Sequence, residues 1–319
     1  AVTDAEAALA ADFESNRDLL FAVAYRVLGS VADAEDVVQE SWLRWNRIDR
    51  SRVADSQSFL VRVSSRLALD RLRRLKARRE AYVGPWLPEP LPTSPDVEAD
   101  AELAESVSVA MLVVLETLSP LERVVFVLRE AFEFSFAEIA AILGRSEPAV
   151  RQIAHRAREH VRERRPRFQH DRKVRLQATE RFLAACLGGD LTGLLELLAP
   201  DVTLWLDGNG RRGVARTPLQ GADKVGRLLI HGIQKVLRSS GGDGPAECTG
   251  GSIVDLNGGP AVLLIAMGEP VAVVVVDLDP ATDRISQVWI NANQDKFRGL
   301  GGGRYRRVAE GRPPYRPVG

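Results

Sequence analysis

The chain is poor in the residues that build redox and metal chemistry. It holds 2 cysteines and 4 histidines in 319 residues. Cys186 and Cys248 fall in no ligand spacing and the histidines are scattered. A disulfide framework and a zinc site are therefore excluded as organising devices, and both thiols read as buried filler. No metal, no cofactor and no catalytic residue is expected. Apolar runs of the roughly 20 residues needed to cross a bilayer are lacking, and no leader-like segment is recognisable, so a cytoplasmic protein with no membrane partner is the expectation. Net charge is lacking too, with 43 Lys+Arg against 43 Asp+Glu. Spread evenly, such a balance would argue against nucleic acid. It is not spread evenly: arginine crowds Arg62 to Arg79, Arg145 to Arg175 and the tail from Arg298, while acid crowds Asp33 to Glu40 and Asp96 to Glu105.

What is present is organised around Ser135 to Arg165. Ser135 and Glu138 have capping-box spacing, with Phe134 and Ile139 as a hydrophobic staple, so a helix begins at Phe136. Gly144 closes it after Ile139, Ala140 and Leu143. Ser146 caps a second helix with Pro148 in its first turn. Val150, Ile153, Ala154, Ala157 and Val161 form its inner face, leaving Glu147, Arg151, Gln152, His155, Arg156, Arg158 and Arg162 outward. The short turn and the one-sided charge together predict a DNA-binding helix-turn-helix. Arg145, Arg151, Gln152, His155, Arg156 and Arg158 are its candidate contacts. Of these, Arg151, Gln152 and Arg156 suit base edges, because arginine and glutamine make bidentate bonds in the major groove.

Upstream, Phe13 to Gly29 reads as a helix with Leu19, Leu20, Val23, Ala24 and Val27 on one face. Asp33 to Trp45 follows, with Ala34, Val37, Val38, Ser41, Trp42 and Trp45 as the buried stripe. Its other face carries Asp36, Gln39, Glu40 and Leu43, an acidic surface with one exposed leucine that suits a basic partner helix as well as plain solvation. Phe59 to Arg79 is a third helix, apolar through Phe59, Leu60, Val63, Leu67 and Leu72. Its Arg62, Arg66, Arg71, Arg73, Arg74, Lys76, Arg78 and Arg79 form a cation density that attracts phosphate.

The order of a DAEDVVQESWLRW helix, a SFLVRVSSRLALDRLRR helix, a linker and a helix-turn-helix resembles bacterial extracytoplasmic-function sigma factors. The resemblance implies that Asp36, Gln39, Glu40 and Leu43 bind the clamp helices of the β′ subunit of core RNA polymerase. It implies that Arg62, Arg66, Arg71, Arg73 and Arg74 serve the −10 promoter element, and that the helix-turn-helix reads the −35 element. Where the family commonly carries an asparagine, this chain has Ser64, Ser65 and Arg66.

Tyr82 to Pro95, YVGPWLPEPLPTSP, is too rich in proline for helix or central strand and reads as an extended connector. A spacer has no need of Tyr82, Trp86, Leu87 and Pro88, which predicts that the connector docks. Its sequence resembles the linker of the sigma subgroup carrying a fused C-terminal SnoaL-like domain. The second helical domain opens with Met111, Val114, Leu115 and Leu118, and then Ser119 and Glu122 repeat the capping box ahead of Leu121, Val124, Val125 and Leu128. Domain limits are placed at 1–80 for sigma region 2, 81–105 for the linker, 106–166 for sigma region 4, 174–297 for the third domain and 298–319 for a basic, flexible tail.

The third domain reads as two helices, Val174 to Leu187 and Leu191 to Leu198 closed by Pro200, then a strand at Val202 to Leu206. A turn at Asp207 to Gly210 and a further helix through Val225, Leu228, Leu229, Ile233 and Val236 come next. Strands follow at Cys248 to Leu256, Ala261 to Met267, Val271 to Leu278 and Arg284 to Asn293, the first two joined by a hairpin at Asn257 and Gly258. Helices followed by an antiparallel sheet indicate α+β, so the whole is multidomain: two all-α domains and an α+β one. The order resembles the SnoaL-like cone, with Trp205, Asp207, His231, Trp289, Asn291 and Asn293 as candidate pocket residues, the last three on one strand face. Two subgroup motifs appear altered. One is the turn Asp207, Gly208, Asn209, Gly210 and Arg211. The other is Asn293, Gln294, Asp295, Lys296 and Phe297, where Gln294 replaces a proline. By resemblance, this domain contacts the sigma domains within the chain and regulates them in place of a separate anti-sigma protein.

The expectation is a sigma factor directing promoter recognition and transcription initiation, with core polymerase and promoter DNA as partners and a cis-acting C-terminal domain. Two readings stand beside it: a ligand-sensing helix-turn-helix regulator with a small molecule in the C-terminal pocket, and a SnoaL-like enzyme with a DNA-binding appendage.

Overall fold

The computed structural model describes residues 4–49, 53–93, 106–164, 170–211, 215–239, 250–298 and 300. The acidic stretch from Asp96 to Glu105, Cys248 and the arginines of the tail beyond Leu300 lie outside them. The chain divides into two compact units, residues 1–81 with 112–165, and residues 82–111 with 166–319.

The first unit is helical. Helix α1 spans Asp4–Leu28, α2 Val31–Trp45 and α3 Ser56–Glu80, and the three pack on one another. Gly29 stops α1 in the left-handed region at φ 66°, while Ser30 and Asp55 cap α2 and α3 through side-chain bonds to backbone N–H groups. Phe13 meets Trp42 edge-on at 5.0 Å and Trp45 lies 5.7 Å from Phe59. Helix α4, Val109–Glu116, leads into α5, Pro120–Phe126, whose Ser119–Glu122 capping box forms as expected. A π-helical turn, Val127–Ala131, extends α5. No sequence signal announced it.

Helices α6, Phe136–Leu143, and α7, Glu147–Arg164, form the helix-turn-helix. The Ser135–Glu138 capping box is present, and Gly144 ends α6 at φ 64°. The inner face of α6 differs by one position. Ile142 is buried and Leu143 only half-buried, because the helix presents Ile139, Ala140 and Ile142 to the core. Within this unit α3 packs against both α5 and α6.

The second unit holds α8, Arg172–Gly188, α9, Leu191–Leu197, and α10, Ala222–Ser239. They cover one face of a six-stranded sheet ordered β2-β1-β6-β5-β4-β3. The strands are β1 Leu198–Asp207, β2 Leu219–Gln220, β3 Gly250–Leu256, β4 Gly259–Ala266, β5 Glu269–Leu278 and β6 Ile285–Asn291. Three expectations change. The sheet is mixed rather than antiparallel, since β1 runs parallel to β6; the long excursion through α10 and four strands supplies the crossover a parallel pair needs. Pro200 lies inside β1 rather than closing a helix. There the register shifts between Leu198 and Thr203, the irregular ladder that tolerates a proline. Asn293 stands beyond β6 and caps the 3₁₀ turn Gln294–Lys296 instead of sharing the strand face of Trp289 and Asn291.

The hairpin at Asn257 and Gly258 forms with φ values of 52° and 71°, the pair of positive angles a two-residue turn requires. Between helices and sheet the space is filled by aliphatic and aromatic groups, Phe182, Leu183, Leu194, Val202, Leu204, Val225, Leu229 and Val288 among them.

Candidate nucleic-acid interface and strap site

The outer face of α7 emerges as expected: Arg151, Gln152, His155, Arg156, Arg158 and Arg162 are exposed, as is Arg145 in the turn. The arginines are not bare. Arg151 pairs with Glu147, Arg158 with Glu130 at 2.8 Å, Arg162 with Glu159 at 2.7 Å, and Arg156 approaches Glu122 at 3.8 Å. These are solvent-exposed pairs of small net strength, easily exchanged for phosphate.

The arginine-rich helix α3 divides in two. Arg62, Arg73, Arg74 and Arg78 face solvent, held only locally: Arg62 lies over the Phe59 ring, and Arg73 and Arg74 bond Asp70. The others bond to neighbouring helices, Arg66 from an exposed position and Arg71, Lys76 and Arg79 half-buried. Arg66 donates from Nε to the Ile142 carbonyl at the end of α6, 2.6 Å. Lys76 donates to Leu118 O at 3.3 Å, and Arg79 to Leu28 O at 2.6 Å. These carbonyls at or just beyond helix C-termini carry partial negative charge and lack a partner in their own helix. Cations from α3 supply one. Arg71 instead binds α2, with Nε 2.5 Å from Asp33 and Nη2 2.7 Å from Asp36. Of the five residues that resemblance assigns to the −10 element, Arg71 and the exposed Arg66 are therefore bonded to neighbouring helices, and Arg62, Arg73 and Arg74 face solvent with only local contacts.

A second buried cation completes this network. Arg123, 1% exposed, donates from Nε to Arg26 O at 3.1 Å and pairs with Glu116, which also takes Arg79 at 2.6 Å. Burial pushes the Glu116 carboxyl up, but the Arg123 and Arg79 guanidiniums outweigh it and hold the group below its usual range. Burial also lowers the Arg26 guanidinium to about 10. On α2, Asp36, Gln39 and Glu40 are exposed beside Leu43, 49% exposed. Glu40 pairs with Arg44 on the same helix, and Asp36 with Arg71.

In the second unit the connector crosses the sheet face opposite the helices. Asp207, at the end of β1, is fully buried and anchors it. Its carboxylate accepts from Tyr82 Oη at 2.5 Å, Leu87 N at 2.9 Å, Lys296 Nζ at 2.7 Å and Asn209 N at 3.3 Å. The Asx-turn bond from Asn209 N is thus the longest of the four. Lys296 also donates to Leu87 O and lies 4.2 Å from the Trp86 ring centre. Burial, with Asp207 beside it, raises the Tyr82 phenol above its ordinary value. Further along, Asn291 donates to Pro88 O at 3.1 Å. Asn257 exchanges two bonds with Leu91, 2.8 and 3.1 Å, and Pro92 bridges to Leu256 as an added strand end.

The two altered motifs meet beneath this strap. Asn209 bonds Asp295 at 3.1 Å and Arg211 bonds Gln294 at 3.0 Å, so Gln294, standing where the subgroup has proline, gains a partner. Phe297 is buried on the strap side of the sheet with Leu256 and Val273. Gly210, at φ 69°, passes 3.2 Å from Val83 measured at the position of a Cβ it lacks. The candidate pocket residues separate. Asp207, Trp289, Asn291 and Asn293 attend the strap, and Trp205 stacks on Trp289 at 5.4 Å. His231 is exposed on α10, on the other side of the sheet, and belongs to no such group. The cleft between strap and sheet, lined by Leu87, Pro88, Val109, Val275 and Trp289, retains about 10 Å³, room for about one water. Asn257 was legible only as a turn residue; its clamp on Leu91 depends on the fold.

Residues 13–79 match the family model of sigma-70 region 2, and residues 108–161 that of sigma-70 region 4. The chain belongs to the extracytoplasmic-function RNA polymerase sigma factors, proteins that recognise promoters and initiate transcription with core RNA polymerase. Among relatives, it is 40% identical to the ECF RNA polymerase sigma factor SigJ of Mycobacterium tuberculosis over 294 residues, 90% of this chain and 93% of that one. It is 36% identical over 225 residues to the probable ECF sigma factor SigI of the same species, covering 70% of this chain and 76% of that one. The crystal structure of the M. tuberculosis SigJ superposes with a TM-score of 0.69 at 35% identity, covering 91% of this chain and 98% of that one. Among the described residues no helix is long and apolar enough to cross a membrane.

Proposed function

We propose that the C-terminal domain is a receptor for the chain's own linker, and that it modulates the sigma factor in cis by fixing the segment that joins regions 2 and 4. The observation that carries this is Asp207: a fully buried carboxylate whose partners include Tyr82, the Leu87 N–H and Lys296. A SnoaL-like enzyme needs an acid or base reaching a substrate atom. Here Asp207 is saturated by the strap, while the buried Asp255 and the half-buried Asp277 are taken within the fold, by Arg172 at 2.9 Å and by Trp289 Nε1 at 2.9 Å, which supports a protein that performs no chemistry of its own. The face of Asp36, Gln39, Glu40 and Leu43 docks on the β′ clamp helices, the exposed arginines of α3 meet the −10 region, and α7 reads the −35 element. Such a protein works in the cytoplasm. Arg66 and Arg71 join the −10 contacts only by leaving Ile142, Asp33 and Asp36.

The test is promoter-dependent transcription in vitro with purified core polymerase, comparing the full chain with full-length variants carrying Asp207→Ala or a Gly/Ser replacement of Trp86, Leu87 and Pro88. Transcription that requires the protein and changes when the strap is released supports control in cis. Unchanged transcription in both variants makes the strap a passive spacer. DNA binding without any core-dependent initiation would favour the ligand-sensing regulator.

A further inference from the structure

Three guanidinium groups of the first unit converge on one ring. Phe136, half-buried at the start of α6, has Arg129 from the π-helical turn at 4.9 Å, Arg151 from the first turns of α7 at 4.7 Å, and Arg158 two turns further on at 5.9 Å from its centroid. The face of an aromatic ring is negative and attracts each cation, yet the cations repel one another. Their remaining partners are Glu147, Glu130 and the Phe134 carbonyl, all at the surface or the chain turn.

We propose that Phe136 is a positioning residue that gathers Arg129, Arg151 and Arg158 into a cluster binding a backbone phosphate of promoter DNA. The inference rests on α7 being the −35 reader. A phosphate placed among the three groups supplies the missing counter-charge and displaces Glu130 and Glu147, whose exposed pairs cost little to open. The cluster also divides the labour on α7. Arg151, held against Phe136, becomes a backbone contact rather than a base reader, leaving Gln152 and Arg156 on the neighbouring stripe to face base edges.

Holoenzyme assembled from the full chain and core polymerase is titrated with promoter fragments across a salt series, using wild type, Phe136→Leu, Phe136→Tyr and Arg158→Gln. Each phosphate neutralised contributes a slope of about 0.9 in log affinity against log salt. Phe136→Leu keeps the packing but removes the ring face. Its slope is expected to fall by about one, so that roughly threefold less affinity is lost between about 50 and 200 mM salt, with penalties for base changes in the −35 element unaltered. Phe136→Tyr restores the wild-type slope. Arg158→Gln, at an exposed position that leaves the core alone, lowers the slope by about one as well. An unchanged slope in Arg158→Gln and Phe136→Leu overturns the proposal, as does altered base preference at constant slope. Wild-type holoenzyme indifferent to the −35 sequence overturns the reading of α7 itself.

Discussion

Helices α3 and α7 are both rich in arginine, and they use it differently. Every arginine on the outer face of α7 reaches solvent. On α3, Arg71, Lys76 and Arg79 are half-buried against the ends and acids of neighbouring helices, and Arg66, though exposed, bonds the end of one. The difference lies in what surrounds each helix. α7 buries one narrow stripe, Val150, Ile153, Ala154, Ala157 and Val161, and leaves the rest outside. α3 is enclosed by α1, α2, α5 and α6, so its cations find carbonyls and carboxylates on several sides. Cation density alone therefore overstates a DNA-binding face wherever helix C-termini lie close by.

The comparison between cations held inside and cations held outside can be tested by substitution. The largest effect is expected at the strap. Asp207→Ala leaves Lys296 buried without its carboxylate, which costs about 3–5 kcal/mol and exposes Tyr82–Thr93 to proteolysis; urea denaturation with limited proteolysis measures both. Tyr82 adds a pH dependence. Its phenol is raised in the folded chain, so the stability it gives is full below the ordinary value of 10.0 and is lost as the pH climbs through the raised one. Strap protection should therefore fail in alkali, and less steeply in Tyr82→Phe.

Next is Arg123→Met, which breaks the Glu116 network at its most buried member and should cost about 3 kcal/mol in denaturation of the helical unit. Glu116 has its carboxyl lowered from 4.5, so its contribution is present above that value and disappears as the pH falls through the lowered one. Glu116→Gln should flatten the acid limb of stability against pH. A smaller separation is expected within α3. Arg66→Ala should cost about 1 kcal/mol of stability through the lost bond to Ile142, whereas Arg62→Ala with Arg73→Ala and Arg74→Ala should leave stability alone and weaken promoter binding in a salt-dependent way, measured on holoenzyme. Equal salt dependence in the two sets would abolish the distinction. Ser135→Ala, removing a helix cap, should cost about 1 kcal/mol with no change in salt slope.

Much of the helical architecture was legible because its signals are local. Caps at Ser119 and Ser135, the left-handed Gly144 and the stripe of α7 lie within a few residues of what they control. The hairpin at Asn257 and Gly258 was legible for the same reason. The parallel pairing of β1 with β6 was not, since it joins Leu204 to Val288 across the whole domain. Nor was the role of Asn291, whose amide waits on Pro88, more than 200 positions away. His231 shows the converse error: a residue type suggestive of chemistry, placed by helical phase on the solvent side.

By itself the sequence determined the sigma family, the two helical domains, the helix-turn-helix with its outward residues and a proline-rich connector carrying Tyr82, Trp86 and Leu87, because periodicity, capping and turn chemistry act over short range. Tertiary structure alone decided which arginines remain available and where the linker goes. Both depend on groups distant in sequence: a helix-end carbonyl that needs a donor, and a buried Asp207 that binds Tyr82, Leu87 and Lys296 together. A polar group removed from water must find its partner wherever the fold brings one, and that place is not written beside it in the chain.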